Sequence, residues 1–246
     1  MRWRLVLEYD GRDFIGWGLQ PKGRSIQGVV EQALESLLGH PTRVRASGRT
    51  DTGVHALGQV ITLDTGVSRS PKAMVSGMNH HLPLDVACVA ADVVPDDWDP
   101  RWQSREKHYR YVWLRRLARS PLRQDRVYHV TCALDVDRMN RAVQALAGTH
   151  DFTTFRASGC GAKSTVRTIP FWAVTDHGDE VHLDVRGNGF LRHMIRIVAG
   201  TLTDIGRGAE PEDLLETALL ARDRDVAGPT APACGLTLMS VLYDGD

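Results

Sequence analysis

Residues 3–9, WRLVLEY, partly alternate apolar and polar side chains, the period-two pattern of a half-buried strand. Ser25 then opens a different rhythm. Ile26, Val29, Val30, Ala33, Leu34, Leu37 and Leu38 recur at helical spacing as far as Gly39, which predicts a helix between those two stop signals. Strands are predicted at about 42–47 and 59–64, flanking the loop GRTDTGVHA. A short helix over 71–80 and strands over 84–93 and 108–115 follow. Beyond them the pattern predicts a helix over 135–148 and a hairpin of 163–176 with 180–188 around Gly178. Helices over 189–206 and 211–223 and a strand over 235–243 end the chain. Strands outnumber helices and some connect as hairpins, so the expected class is α+β, with mixed or antiparallel sheets in two units. The acidic stretch Pro95–Pro100 is the best boundary, giving units 1–100 and 101–246.

Composition changes this picture little. Apolar residues make up 42% and charged residues 24% of 246 positions, as in ordinary globular proteins. No apolar run approaches a membrane span. MRWRLVLEYDG meets Glu8 and Asp10 at once, so a first strand is expected there and not a signal peptide. Cys88, Cys132, Cys160 and Cys234 are scattered without a CxxC pair, which argues against a structural zinc site and for reduced thiols in a cytoplasm.

Charge is more informative by distribution than by sum. The net charge is zero, yet residues 101–126 hold nine Lys/Arg against Glu106 and Asp125. Such segregation suits a basic face for a polyanion, and equally a solvated strand and loop.

Three stretches carry candidate chemistry. Asp-Thr-Gly occurs at Asp51-Thr52-Gly53 and again at Asp64-Thr65-Gly66. A pepsin-like reading fails, because it needs two equivalent lobes and the copies lie 13 residues apart on one loop and strand. Asp64 reads as a strand-ending turn residue. Asp51 sits on a loop of small and polar residues, Gly48 to His55, where glycines permit close backbone approach to a ligand; a plain turn is the alternative. Second, the helix predicted over 189–206 is apolar nearly all round, with Arg192, His193 and Arg196 as its one polar stripe. A buried arginine needs a carboxylate, and Asp51 is a candidate; a stripe that faces water is the alternative. Third, Lys107, Tyr109 and Tyr111 share one face of a strand in the basic region. An aromatic between cations suits nucleobase stacking, while a half-buried strand alone would also place tyrosines in a core.

The motifs GRTDTGVHALGQV, EYDGRDFIGW, RSIQGVVEQAL, LPLDVACVAADVVP, KHYRYVW, HDFTTFRA, CGAKSTVRTI, GNGFLRHMIRIVAGTL and APACGLTL, in this order, resemble the tRNA pseudouridine synthase A family over nearly the whole chain. The resemblance implies two ferredoxin-like or RRM-like halves sharing a curved, mainly antiparallel mixed sheet with a central active-site cleft. It implies Asp51 as nucleophile, Arg196 as its ion-pair partner, Tyr109 stacking on the uracil, Arg49 at the slot of the target base, and Leu238 or Leu236 packing on that base. It further implies a homodimer without metal or cofactor, acting on the anticodon stem-loop of tRNA at positions 38, 39 and 40. In the basic stretch, Arg119, Arg123 and Arg126 are the expected tRNA contacts. The chain departs from the family's usual letters at Gly18, Gln103, Ser104 and Gly161. One rival reading is a related pseudouridine synthase with a different target uridine, and the other is a non-catalytic RNA-binding protein on the same sheet. The latter would need neither Asp51 nor a buried Arg196.

Overall fold

The computed structural model describes residues 1–244, which fall into two compact units. The first is Met1–Arg105 together with the segment that begins at Leu238; the second is Glu106–Thr237. The α+β expectation holds, with mainly antiparallel pairing.

In the first unit, β1 (Arg2–Tyr9) pairs antiparallel with β3 (His55–Asp64) on one side and β4 (Val86–Val94) on the other. The short β2 (Val44–Ala46) joins the β3 ladder, and β11 (Leu236–Leu242) lies next to β3. Trp3, Leu5, Leu7 and Tyr9 point into the core, as alternation in β1 requires. Helix α1 (Ile26–Leu38) is set by local signals at both ends. The Ser25 side chain accepts from the Gly28 amide, and Gly39 closes the helix in the left-handed conformation, φ 80°. Its buried stripe is Ile26, Val30, Ala33 and Leu34. Helix α2 (Pro71–His81) has Ser70 as N-cap and buries Met74 and Met78 against β4 and α1.

In the second unit, β5 (Glu106–Arg115), β10 (Glu180–Gly187) and β9 (Phe171–His177) form an antiparallel series. One strand, β6 (Tyr128–Val130), runs parallel to β5, which makes the pairing mixed. Helix α3 (Val136–Val143) packs on β9. Helix α4 (Met194–Gly206) lies against α3 and β5, where Trp113 Nε1 donates to Thr203 Oγ1 at 2.9 Å. Helix α5 (Leu214–Ala221) packs beside α4. Strands β7 (Gly148–Asp151) and β8 (Val166–Ile169) make a separate two-stranded ladder.

Three expectations need correction. The strand expected from residue 59 begins at His55, so the end of the GRTDTGVHA loop is already sheet. The first arm of the 163–188 hairpin is two strands, because Pro170 has no N–H for the ladder; β8 turns away to pair with β7. The hairpin itself turns at Gly178, φ 75°, as expected. The helix expected from 189 starts at Met194, because His193 takes a left-handed conformation, φ 61°, that interrupts helical winding. Arg192 therefore lies in the preceding turn, exposed, donating to Ser158 O at 3.3 Å, and does not share a helical stripe with Arg196.

Among the described residues, no helix is long and apolar enough to cross a membrane.

Candidate active site

The loop Gly48–Val54 is held by a chain segment some forty residues earlier. Trp17 N donates to Thr50 O at 3.0 Å, Gly53 N to Phe14 O at 3.4 Å, and Thr52 Oγ1 to Ile15 O at 2.9 Å. Gly11 N donates to His55 Nδ1 at 3.1 Å, which ties the end of the loop to β1. Two glycines make this approach possible. A Cβ on Gly11 would lie 2.0 Å from Val54 O, and Gly16 has φ 104° with Thr50 O only 2.9 Å from where its Cβ would stand. Neither position tolerates a side chain with this backbone. EYDGRDFIGW is thus a cradle for the loop.

Within the loop, Val54 N donates to Asp51 O at 3.2 Å, closing a turn that carries Asp51 half-buried. Thr50 is buried and Arg49 exposed. The Arg49 guanidinium lies against Gly18: a Cβ there would meet its Nε and Cζ at 3.9 Å. One departure from the family letters therefore borders a proposed substrate-binding residue. Beside the loop, burial pushes the Asp10 carboxyl up, but hydrogen bonds from Arg12 and the nearby His55 outweigh it and hold it at about 2. Leu238, in the same unit, is buried. The other Asp-Thr-Gly copy does different work: Asp64 ends β3 and takes a bidentate pair from Arg2, at 2.8 and 2.9 Å.

The second unit holds the other expected residues. Tyr109 faces inward with Lys107, Tyr111 and Trp113, so the shared face predicted from the strand is present and is a core face. Its ring meets Phe190 edge-on, centroids 5.2 Å apart. Arg196 is one of two α4 residues not fully buried. Its Nε donates to Ala231 O at 2.9 Å while Ala231 N donates to Arg196 O at 3.0 Å. This reciprocal pair fixes how the side chain leaves the helix. The segment 228–231 reaches α4 because Gly200 has no Cβ, which would stand 1.8 Å from Pro229 O. Leu236 is also buried in this unit. The structure thus places Asp51, Arg49 and Leu238 in one unit, and Tyr109, Arg196 and the basic arginines in the other.

The basic stretch is not a bare positive face. Arg110 and His108 engage Asp184, at 3.0 and 2.6 Å. Arg115 meets Asp176 at 3.0 Å, Arg116 meets Asp179 at 3.5 Å, and Arg123 pairs with Glu180. The β9–β10 hairpin supplies all these carboxylates. Burial alone would raise Asp184, but His108 and Arg110 overcome it and hold it at about 2. Arg119, Arg123 and Arg126 are exposed, with Arg123 already carrying its carboxylate partner.

Sequence reasoning missed two features. The cradle could have been suspected from Gly11 and Gly16 in EYDGRDFIGW. Gln59, a fully buried amide in the middle of the apolar strand β3, was the other available signal.

Comparison with known proteins agrees with this geometry. A family model described as tRNA pseudouridine synthase matches residues 5–103 and 142–244, which include Arg49, Asp51, Arg196 and Leu238. Tyr109, Arg119, Arg123 and Arg126 fall between the two matched blocks. The chain is 43% identical over 240 residues to tRNA pseudouridine synthase A of Geotalea uraniireducens, covering 98% of both chains. It is 47% identical over 243 residues to the protein of that name from Myxococcus xanthus, covering 98% of this chain and 92% of the relative. With the Caulobacter sp. K31 protein of the same name, identity is 42% over 246 residues, 100% of this chain and 99% of the relative. The family match over most of the chain, with relatives 42–47% identical over nearly all of it, places the chain in the tRNA pseudouridine synthase family.

Proposed function

We propose that this protein isomerises uridine to pseudouridine in the anticodon stem-loop of tRNA, at positions 38, 39 and 40, with Asp51 as nucleophile. The reaction breaks the N1–C1′ bond, turns the uracil over and forms a C5–C1′ bond. N1 gains a proton and C5 loses one, so nothing is oxidised and no atom is lost. One carboxylate and a cage for the detached base suffice, and no cofactor is called for. Asp51 attacks C1′ as glycosidase nucleophiles do, adds to C6 of uracil, or acts as base in an elimination; each course needs it ionised. Arg196 is the ion-pair partner of the Asp51 carboxylate. Tyr109 stacks on the uracil and assists loss of the C5 proton. Arg49 enters the slot left by the extruded base, whose flipping costs a few kcal/mol. Leu238 packs on the base. Arg119, Arg123 and Arg126 contact phosphates, and their contribution weakens with salt.

The reading takes residues 1–100 as the half carrying the nucleophile and 101–246 as the half carrying its partners. It also includes a cytoplasmic homodimer with tRNA lying across both subunits, which sedimentation with and without tRNA would test. The observation that supports the reading best is the Asp51 turn, half-buried yet gripped by backbone hydrogen bonds on both flanks. A preorganised carboxylate of that kind is what a nucleophile requires and a plain RNA-binding surface does not. Tritium release from C5-labelled uridine in unmodified tRNA tests it, with Asp51→Ala and Asp51→Asn as controls. Product mapping then tests positions 38, 39 and 40.

A further inference from the structure

Four polar side chains meet in the core beside the Asp51 turn. Ser47 Oγ donates to Gln59 Oε1 at 2.8 Å. Gln59 Nε2 donates to Gly48 O at 3.0 Å and, more weakly, to the Tyr9 hydroxyl oxygen at 3.4 Å. The Tyr9 hydroxyl lies 2.8 Å from Thr50 Oγ1. Either hydroxyl can donate in this pair. All four residues are buried, and Gln59 has no exposed surface.

For stability alone this network is a poor choice. A hydrogen bond made by a buried amide or phenol stabilises only modestly, and losing its partner costs more than the bond gives. An apolar residue would continue the strand that runs Val60-Ile61-Thr62-Leu63. What the network adds is fixation at chosen points. Gly48 O and Thr50 Oγ1 bracket Arg49, and Thr50 immediately precedes Asp51. The chain on both sides of Arg49 is therefore pinned to β1 and β3 by side chains, while the cradle grips Thr50 through its carbonyl. Burial also pushes the Tyr9 phenol up to about 12, so it stays protonated across the working range.

We infer that Tyr9 and Gln59 are positioning residues for the reaction, acting through Thr50 and Gly48 to hold the Arg49–Asp51 turn in its reactive geometry. This rests on Asp51 being the nucleophile. Tyr9→Phe keeps the ring and removes the bond to Thr50. Since a 1 Å misplacement can cost about a hundredfold, kcat for tritium release should fall roughly tenfold to a hundredfold. KM for tRNA should stay within about twofold, as expected when an interaction serves the transition state alone. Thr50→Val should match it, Thr50→Ser should recover most of the rate, and the Tyr9→Phe/Thr50→Val double variant should be no worse than either single one. Gln59→Met should behave alike; if it does not fold, Tyr9→Phe carries the test. Amide hydrogen exchange over residues 48–53, read without substrate, should speed up in Tyr9→Phe. An unchanged kcat with a lowered Tm would overturn the inference, as would single-variant losses that multiply in the double. An active Asp51→Asn would instead refute the nucleophile reading, and the exchange measurement would still report whether Tyr9 holds the turn.

Discussion

Gly11→Ala probes the cradle with one methyl group. An ideal Cβ at position 11 would stand 2.0 Å from Val54 O, 2.6 Å from Val54 C and 3.1 Å from Val54 N. These are backbone atoms, so no side chain can swing away. Ordinary contact needs roughly 3.4 Å or more, so the Gly11 backbone and the loop end must part by about 1.4 Å. Overpacking of this kind costs about 1–3 kcal/mol. At about 2–4 °C per kcal/mol for a chain of this size, Tm should fall measurably. The displacement reaches the nucleophile directly, because Val54 N is the donor that closes the turn on Asp51 O. A misplacement of about 1 Å at a reacting group predicts a loss of up to about a hundredfold in kcat. The assay is tritium release at saturating tRNA, well below the variant's Tm, beside a thermal melt. Gly66→Ala is the control, since a Cβ there meets nothing within 4 Å. Parental kcat and Tm in Gly11→Ala would refute the cradle.

Two other perturbations separate structural from substrate electrostatics. Asp184 has a folded pKa held near 2, below the ordinary carboxylate value, so its stabilising contribution is present above about pH 4 and is lost as pH falls towards 2. Acid unfolding of Asp184→Asn should be flatter across that window, and an unchanged acid limb would contradict the His108–Asp184–Arg110 assignment. Charge reversal of Arg119, Arg123 and Arg126 should raise KM for tRNA steeply and reduce its salt dependence while sparing the fold. Of the three, Arg123→Glu should also cost a surface pair with Glu180, worth at most about 1 kcal/mol; unchanged kinetics at moderate salt would remove the arginines from the interface.

The legible parts of this fold were those set locally. Ser25 and Gly39 fixed α1 because caps act within one turn, and alternation fixed β1. The start of α4 was hidden because nothing in GNGFLRHM shows that His193 will be left-handed. Pro170 was readable and was passed over, although a residue without an N–H cannot sit inside a continuing ladder. At the site, Asp51 stood out by its small polar neighbours. Its supports did not, since Gly11, Ile15 and Trp17 lie far away in sequence and act through backbone atoms that have no letter of their own. The ion pairing of the basic stretch was hidden for a related reason. Its counter-charges sit on a hairpin about sixty to seventy-five residues later, and a charge sum along the chain cannot see an antiparallel neighbour.

Everything proposed for the site depends on one carboxylate. The direct measurement is tritium release from C5-labelled uridine in unmodified tRNA by the parent chain and by Asp51→Asn, with circular dichroism confirming that both are folded. The account predicts stoichiometric release by the parent and none by Asp51→Asn. Release by a folded Asp51→Asn, or none by the parent, would contradict it.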